Sequence, residues 1–200
     1  MLSGAKLSAA LAGLKLIPVH GPWSRIVGYR HVLKAPAGKT GAPEPLWGGA
    51  AALHGARFTP KGGCDSVYLA WDPVTALLEV QALVALPGAM IPMRSEPWAL
   101  VTVDGIVSHV LDLTNPVTLT ALDTTDQEMT GPWATTTNRP TQELGQAAYH
   151  SGRIAGIKYR SAKNPGGTNL LVFPDRLVPP SSDYLEVYDP HGNLKQRIGA

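Results

Sequence analysis

A single cysteine, Cys64, stands among the 200 residues. One thiol excludes an internal disulfide and any cysteine-rich zinc site, and it fits a reducing, cytoplasmic setting. Cys64 itself reads as a small loop residue. No segment reaches the roughly eighteen consecutive apolar residues of a membrane-spanning helix, so no membrane role is expected. The N-terminal stretch MLSGAKLSAALAGLKLIPV carries two lysines within its apolar residues, which suits a short amphipathic helix better than a signal peptide. The histidines (His20, His31, His54, His109, His150 and His191) show no HxxxH or HExxH spacing, so no metal site is expected. Basic residues form no run and the net charge is only +2, which leaves a general nucleic-acid binder without support while permitting a local anion site. GxxxxGK[ST] and GxSxG are both absent, which removes the P-loop and the serine-hydrolase elbow.

What is present is a globular composition, 44% hydrophobic and 16% charged, too apolar for a disordered chain. Its length suits one domain with a real core. The counts of 21 glycines and 18 prolines predict many short elements joined by long connections. Residues 2–15 are expected to be helical, and 1–22 to form a helical extension ahead of a domain spanning 23–200. WSRIVGYRHVL (23–33) has strand character, KAPAGKTGAPEPLW (34–47) is a loop, and SVYLA (66–70) is a short strand. Asp72-Pro73 supplies an N-cap followed by proline at the first helical position, so a helix is predicted from there to about Ala85. ALVTVDGIVSHVLDL (99–113) reads as one or two strands, with Asp104-Gly105 a possible hairpin turn. Asn115-Pro116 starts a short helix, TTDQEM (124–129) is a polar loop, and PTQELGQAAYHSGR (140–153) is a helix. Strands follow at 156–160, 169–173 and 184–188, then a turn at 189–193 and a last short strand. The mixed order predicts an α+β fold with one central mixed or antiparallel sheet.

Glu79 is the only ionisable residue between Asp72 and Arg94, inside the run WDPVTALLEVQALVAL. A lone buried carboxylate costs several kcal/mol, roughly, unless donors or a cation meet it. On a helical wheel Val74, Leu77, Leu78, Val84 and Ala85 share one side and Glu79 falls nearly opposite. That position suits either a solvated face or a polar cleft, and the absence of other charges on the face favours the cleft. Arg57 lies in HGARFTPKGG (54–63), where glycines and a guanidinium suit an anion as well as they suit a plain surface turn. Tyr68, on the strand before Glu79, can stack on a flat ring and offer a hydroxyl, or simply pack. Arg25 is a second cation within reach of a strand face, or a surface charge. Ser161, in YRSAKNPGG, sits at a strand end and is either a binding residue or a turn serine.

Taken together, GARFTPKGG, VYLAWDPVTALLEV and GIKYRSAKNPGGTNLLVF resemble the RES-domain proteins, named for an Arg, a Glu and a Ser. Arg57, Glu79 and Ser161 fall on those positions, Tyr68 on the family's YLA tyrosine, Arg25 on an arginine near the first strand, and Asn169 on the asparagine of GGxN. VLDLT (110–114), Trp133 and the helix around Gln142 match the middle section, so the resemblance spans roughly 23–173. Ala56, Phe58, Thr59 and Lys163 depart from the usual Gly, Trp, Asn and Arg, which bears on fine substrate preference.

The resemblance implies an ADP-ribosyltransferase-like fold and a bacterial toxin that destroys NAD, used as substrate and without a metal. It also implies a helix-turn-helix antitoxin partner that blocks the site, with a homo-oligomer compatible. The expected reaction is cleavage of the nicotinamide–ribose bond with water or inorganic phosphate as acceptor. Glu79 would stabilise the ribose cation, Tyr68 orient the ribose, and Arg57 and Arg25 hold the pyrophosphate. Ser161 would position the nicotinamide end or hold Glu79. An ADP-ribosyltransferase acting on a macromolecule, or a non-catalytic nucleotide- or partner-binding module, are the competing readings.

Overall fold

Proline-led helix starts and short apolar strands lay out the chain. Helix α1 (Gly4–Gly13) leads into β1 (Ile17–His20), β2 (Trp23–Gly28), α2 (Gly49–His54), β3 (Val67–Ala70), α3 (Pro73–Glu79), β4 (Leu83–Leu86), β5 (Ala89–Pro92) and β6 (Trp98–Asp112). Then come α4 (Pro116–Ala121), α5 (Asp126–Thr130), α6 (Pro140–His150), β7 (Gly156–Arg160), β8 (Thr168–Val172), β9 (Tyr184–Val187) and β10 (Arg197–Gly199). The computed structural model describes residues 1–200 except 37, 39, 82, 87–88, 93–96, 133–138, 178–180 and 195, and only the backbone of 83–86 and 91–92. Trp133 therefore lies outside the described residues.

Helix starts follow local chemistry. Asp72 accepts a bond from the Thr75 amide at 2.9 Å, Asn115 from Val117 at 2.9 Å and Thr125 from Glu128 at 3.2 Å. Each satisfies an amide that the first turn leaves without a partner. Prolines at the first turns of α3, α4 and α6 have no N–H to satisfy there.

The main sheet runs β10-β9-β6-β2-β3-β8-β7, with β1 also on β6. Every pairing is antiparallel except β6 with β7. Because β7 pairs with β6 as well as β8, the path β6–β2–β3–β8–β7 returns to its starting strand. Strand β8 is buried on both faces. Leu170 and Val172 join Val67, Leu69, Val101, Val103, Val107 and Val110 in one core. Leu171 and Phe173 join Leu7, Leu11, Leu144 and Ala148 in another, under α1 and α6. The architecture is the expected α+β fold with one mixed sheet.

Three expectations are corrected. The helix begun at Pro73 stops at Glu79, and Gln81 adopts φ 57°, a left-handed conformation that ends it. The wheel drawn to Ala85 therefore does not apply: residues 83–86 are strand, Val74 is 38% exposed, and Thr75, Ala76 and Leu78 face inward. Asp104-Gly105 is no hairpin but the middle of the 15-residue β6. A side chain at Gly105 would collide with the Tyr184 carbonyl of β9, so glycine there permits the pairing rather than a turn. Residues 126–130 are helix α5, announced by the Thr125-x-x-Glu128 pattern of a capped start. Within the first 22 residues, Leu7 and Leu11 are fully buried and β1 pairs with β6.

Candidate active site

The pleat of β3, β8 and β7 puts a polar group at one end of an otherwise apolar face. Tyr68 lies opposite Leu171, Ala70 opposite Asn169, and Asn169 opposite Tyr159. Cross-strand partners point the same way, so Tyr68, Asn169 and Tyr159 share the face that carries Leu171 and Phe173 deeper in. Helix α3 leaves β3 directly and brings Glu79, its last residue, over that end. A cleft of about 380 Å³ opens there, lined among others by Arg25, Arg57, Tyr68, Glu79, Tyr159 and Asn169. That volume lies within the roughly 300–1,000 Å³ of small-molecule sites.

Glu79 is held by one oxygen. Its Oε1 accepts the Ser161 hydroxyl at 2.6 Å and the Asn169 side-chain amide at 2.7 Å. The Ser161 hydroxyl in turn accepts the amides of Lys163 at 3.1 Å and Asn164 at 3.0 Å. With both lone pairs engaged, its one proton must go to Glu79. Oε2 has no partner among the described residues and belongs to a side chain that lines the cleft. Ser161 is not a lining residue; it stands behind the carboxylate, which selects the second of its two expected roles.

The two arginines are held in different ways. Arg25 donates Nη1 to the Tyr68 carbonyl at 2.9 Å and Nη2 to the Trp47 carbonyl at 3.0 Å. Its Nε is buried with no partner among the described residues, and burial pulls the guanidinium pKa down to about 10. It is thus a brace, still cationic at neutral pH, between β3 and the loop before α2, and it borders the cleft with no carboxylate bonded to it among the described residues. Arg57 donates Nη1 to the carbonyls of Met129 and Gly131, both at 2.8 Å, at the end of α5. Its remaining nitrogens have no partner among the described residues.

Tyr68 supplies a wall rather than a free hydroxyl. The phenol oxygen accepts the Phe58 amide at 3.2 Å and lies 3.0 Å from the Thr59 hydroxyl, which is 2.9 Å from Ser66 Oγ. Burial pushes its pKa above the ordinary 10.0. These bonds fix the Arg57 loop against β3. Helix α6 presses on the same loop: Gln142 Nε2 donates to the Ala56 carbonyl at 2.8 Å, and a side chain at Gly145 would strike the Phe58 carbonyl. Glycine at 145 is therefore a requirement of close approach.

Sequence reasoning missed Tyr159. It is 5% exposed, lines the cleft, packs edge-on against Phe58 at 4.7 Å, and its hydroxyl has no partner among the described residues. Burial first, then the nearby Tyr68 and Glu79, push its pKa well above 10.0. The available signal was the strand alternation of GIKYR, which sends Ile157 and Tyr159 to the face of Leu171 and Asn169. Among the described residues no group of three or more His, Cys, Asp or Glu could hold a metal, and no helix is long and apolar enough to cross a membrane.

A family model described as RES domain matches residues 29–193. No curated protein matches the chain. Among solved structures, a chain of the crystal structure of the M. tuberculosis MbcT-MbcA toxin-antitoxin complex is similar with a TM-score of 0.66 and 22% identity, over 93% of this chain and 91% of that one.

Proposed function

The chain belongs to the RES domain family, and on that premise we propose that it is a toxin enzyme that breaks the nicotinamide–ribose bond of NAD. The observation that carries this reading is Glu79: one carboxylate oxygen pinned by Ser161 and Asn169, the other without a partner among the described residues, in a cleft also bordered by Arg25 and Arg57. When the C1′–N bond lengthens, its electron pair goes to the pyridinium nitrogen and positive charge develops on the ribose. A fixed carboxylate beside that ribose stabilises the charge with no reorganisation at the moment of reaction. Nicotinamide leaves neutral, so no general acid is needed. Water or inorganic phosphate then bonds to C1′, water releasing a proton to solvent.

The remaining groups suit the rest of a dinucleotide. The nitrogens of Arg57 that have no partner among the described residues can meet a pyrophosphate oxygen, and the charge of Arg25 favours an anion without needing direct contact. The rings of Tyr68 and Tyr159 give flat walls for a ribose or a base. An antitoxin that covers the cleft, of the helix-turn-helix kind, is the expected partner in the cytoplasm. The toxin-antitoxin complex containing the structural neighbour supports looking for one.

The deciding experiment incubates the purified chain with NAD, with and without phosphate, and identifies products by mass spectrometry. Free nicotinamide with ADP-ribose means hydrolysis; nicotinamide with phosphorylated ADP-ribose means phosphorolysis. Intact NAD after long incubation, or label from NAD recovered on protein, would overturn the reading, the latter in favour of a macromolecular transferase.

A further inference from the structure

The loop that follows β7 holds helix α3 at both of its ends. At the far end Ser161 meets Glu79. At the near end the Asn164 side-chain amide donates to the Thr75 hydroxyl at 2.7 Å, and that hydroxyl donates to Asp72 Oδ2. Asp72 also caps the helix through the Thr75 amide at 2.9 Å. Thr75 is fully buried, so its hydroxyl has no solvent alternative. The loop is closed on itself by Ser161 N to the Gly167 carbonyl and Gly167 N to the Asn164 carbonyl, both at 2.9 Å.

The polarity of the whole chain of bonds follows from one end. An ionised Asp72 can only accept, so Thr75 donates to it and keeps a lone pair for Asn164. That bond places the backbone of Asn164, whose N–H donates to Ser161 Oγ at 3.0 Å. With Lys163 N on the other lone pair at 3.1 Å, Ser161 has one direction left for its proton, toward Glu79 Oε1. Neither Thr75 nor Asn164 lines the cleft.

We infer that Thr75 and Asn164 are positioning residues for Glu79: the Asp72–Thr75–Asn164 relay sets the loop that aims the Ser161 hydroxyl, and so decides which carboxylate oxygen is left for substrate. The inference rests on the catalytic reading of Glu79. Thr75→Val keeps the shape of the side chain and removes only the hydroxyl, while Thr75→Ser keeps the hydroxyl. Asn164→Ala removes the amide from the other side. NAD cleavage by Thr75→Val and Asn164→Ala is expected to lose about tenfold or more in kcat, as misplacement of a reacting group does, with KM for NAD within about twofold. Thr75→Ser is expected to recover most of the loss. Wild-type kcat in both variants overturns the inference. So does a loss that Thr75→Ser does not recover and that tracks the loss of thermal stability in all three. Crystal structures of the variants provide a readout independent of NAD: Glu79 should part from Ser161 in Asn164→Ala. A 2.6 Å contact retained there removes the positioning role even if the wild-type chain proves inactive on NAD.

Discussion

Glu79 accepts two bonds on one oxygen and, among the described residues, none on the other, and that asymmetry is what a substrate-facing carboxylate needs. Glu79→Gln keeps the volume and removes the charge. It is expected to fold with a wild-type melting curve and to release nicotinamide at least about a hundredfold more slowly. Undiminished release by that variant would remove the carboxylate from the mechanism. The two cations separate at the same scale. Arg25 braces two backbone carbonyls, so Arg25→Ala leaves both without a donor and should cost about 2 kcal/mol in urea unfolding. Arg57 lines the cleft with nitrogens that have no partner among the described residues, so Arg57→Lys, which cannot present a fork, should chiefly raise KM for NAD by about tenfold. Equal effects of the two substitutions on stability and KM would contradict this division.

Short elements meeting at a few tight contacts make the site. Helix α3 has seven residues, too short to be stable alone, and is held by its Asp72 cap and by the 161–167 loop. The Arg57 loop is clamped between Tyr68 of β3 and Gln142 of α6. Gly145 is the closest point of that clamp, and Gly145→Ala would push Phe58 away from the helix. The expected outcome is a loss of about 1–3 kcal/mol, typical of an overpacked contact, with a raised KM for NAD because Arg57 moves with Phe58. A stable variant with unchanged KM would show that the loop can shift without disturbing the cleft.

At the scale of the molecule, the sheet closes on itself through β6 and β7 and places half-buried Tyr68 and buried Tyr159 at the end of one face. Both phenols have folded pKa values raised above the ordinary 10.0, mainly by burial. The native state therefore keeps protons that the unfolded chain gives up. Their contribution to stability is complete below about pH 10 and declines as pH rises beyond it. Urea midpoints should be similar near pH 8 and clearly lower near pH 11, and Tyr159→Phe should lessen the alkaline fall. Midpoints that do not move with pH, or a Phe variant as alkali-sensitive as wild type, would show that these phenols do not govern the decline. Leu7 and Leu11 of the N-terminal helix lie in the core beneath α6.

Much of this was legible in the chain itself. Capping residues and prolines are local signals, so the starts of α3, α4 and α6 could be read directly, and so could the apolar strands at 67–70, 156–160 and 168–172. The sparse charge around Glu79 and the order of the three motifs were enough to single out Arg25, Arg57, Tyr68, Glu79, Ser161 and Asn169. Local signals failed where a distant backbone intervened. Residues 83–86 pair with 89–92 instead of prolonging α3, and Gly105 runs beside β9 instead of turning. The sequence by itself determined which side chains are present and the class of fold they build. Only the tertiary structure decided that Ser161 stands behind Glu79, that Arg25 is a brace, and that Tyr159 joins the cleft. Those outcomes depend on strand register and on contacts between distant segments, such as Ser161 with Glu79, 82 residues apart, which no local pattern encodes.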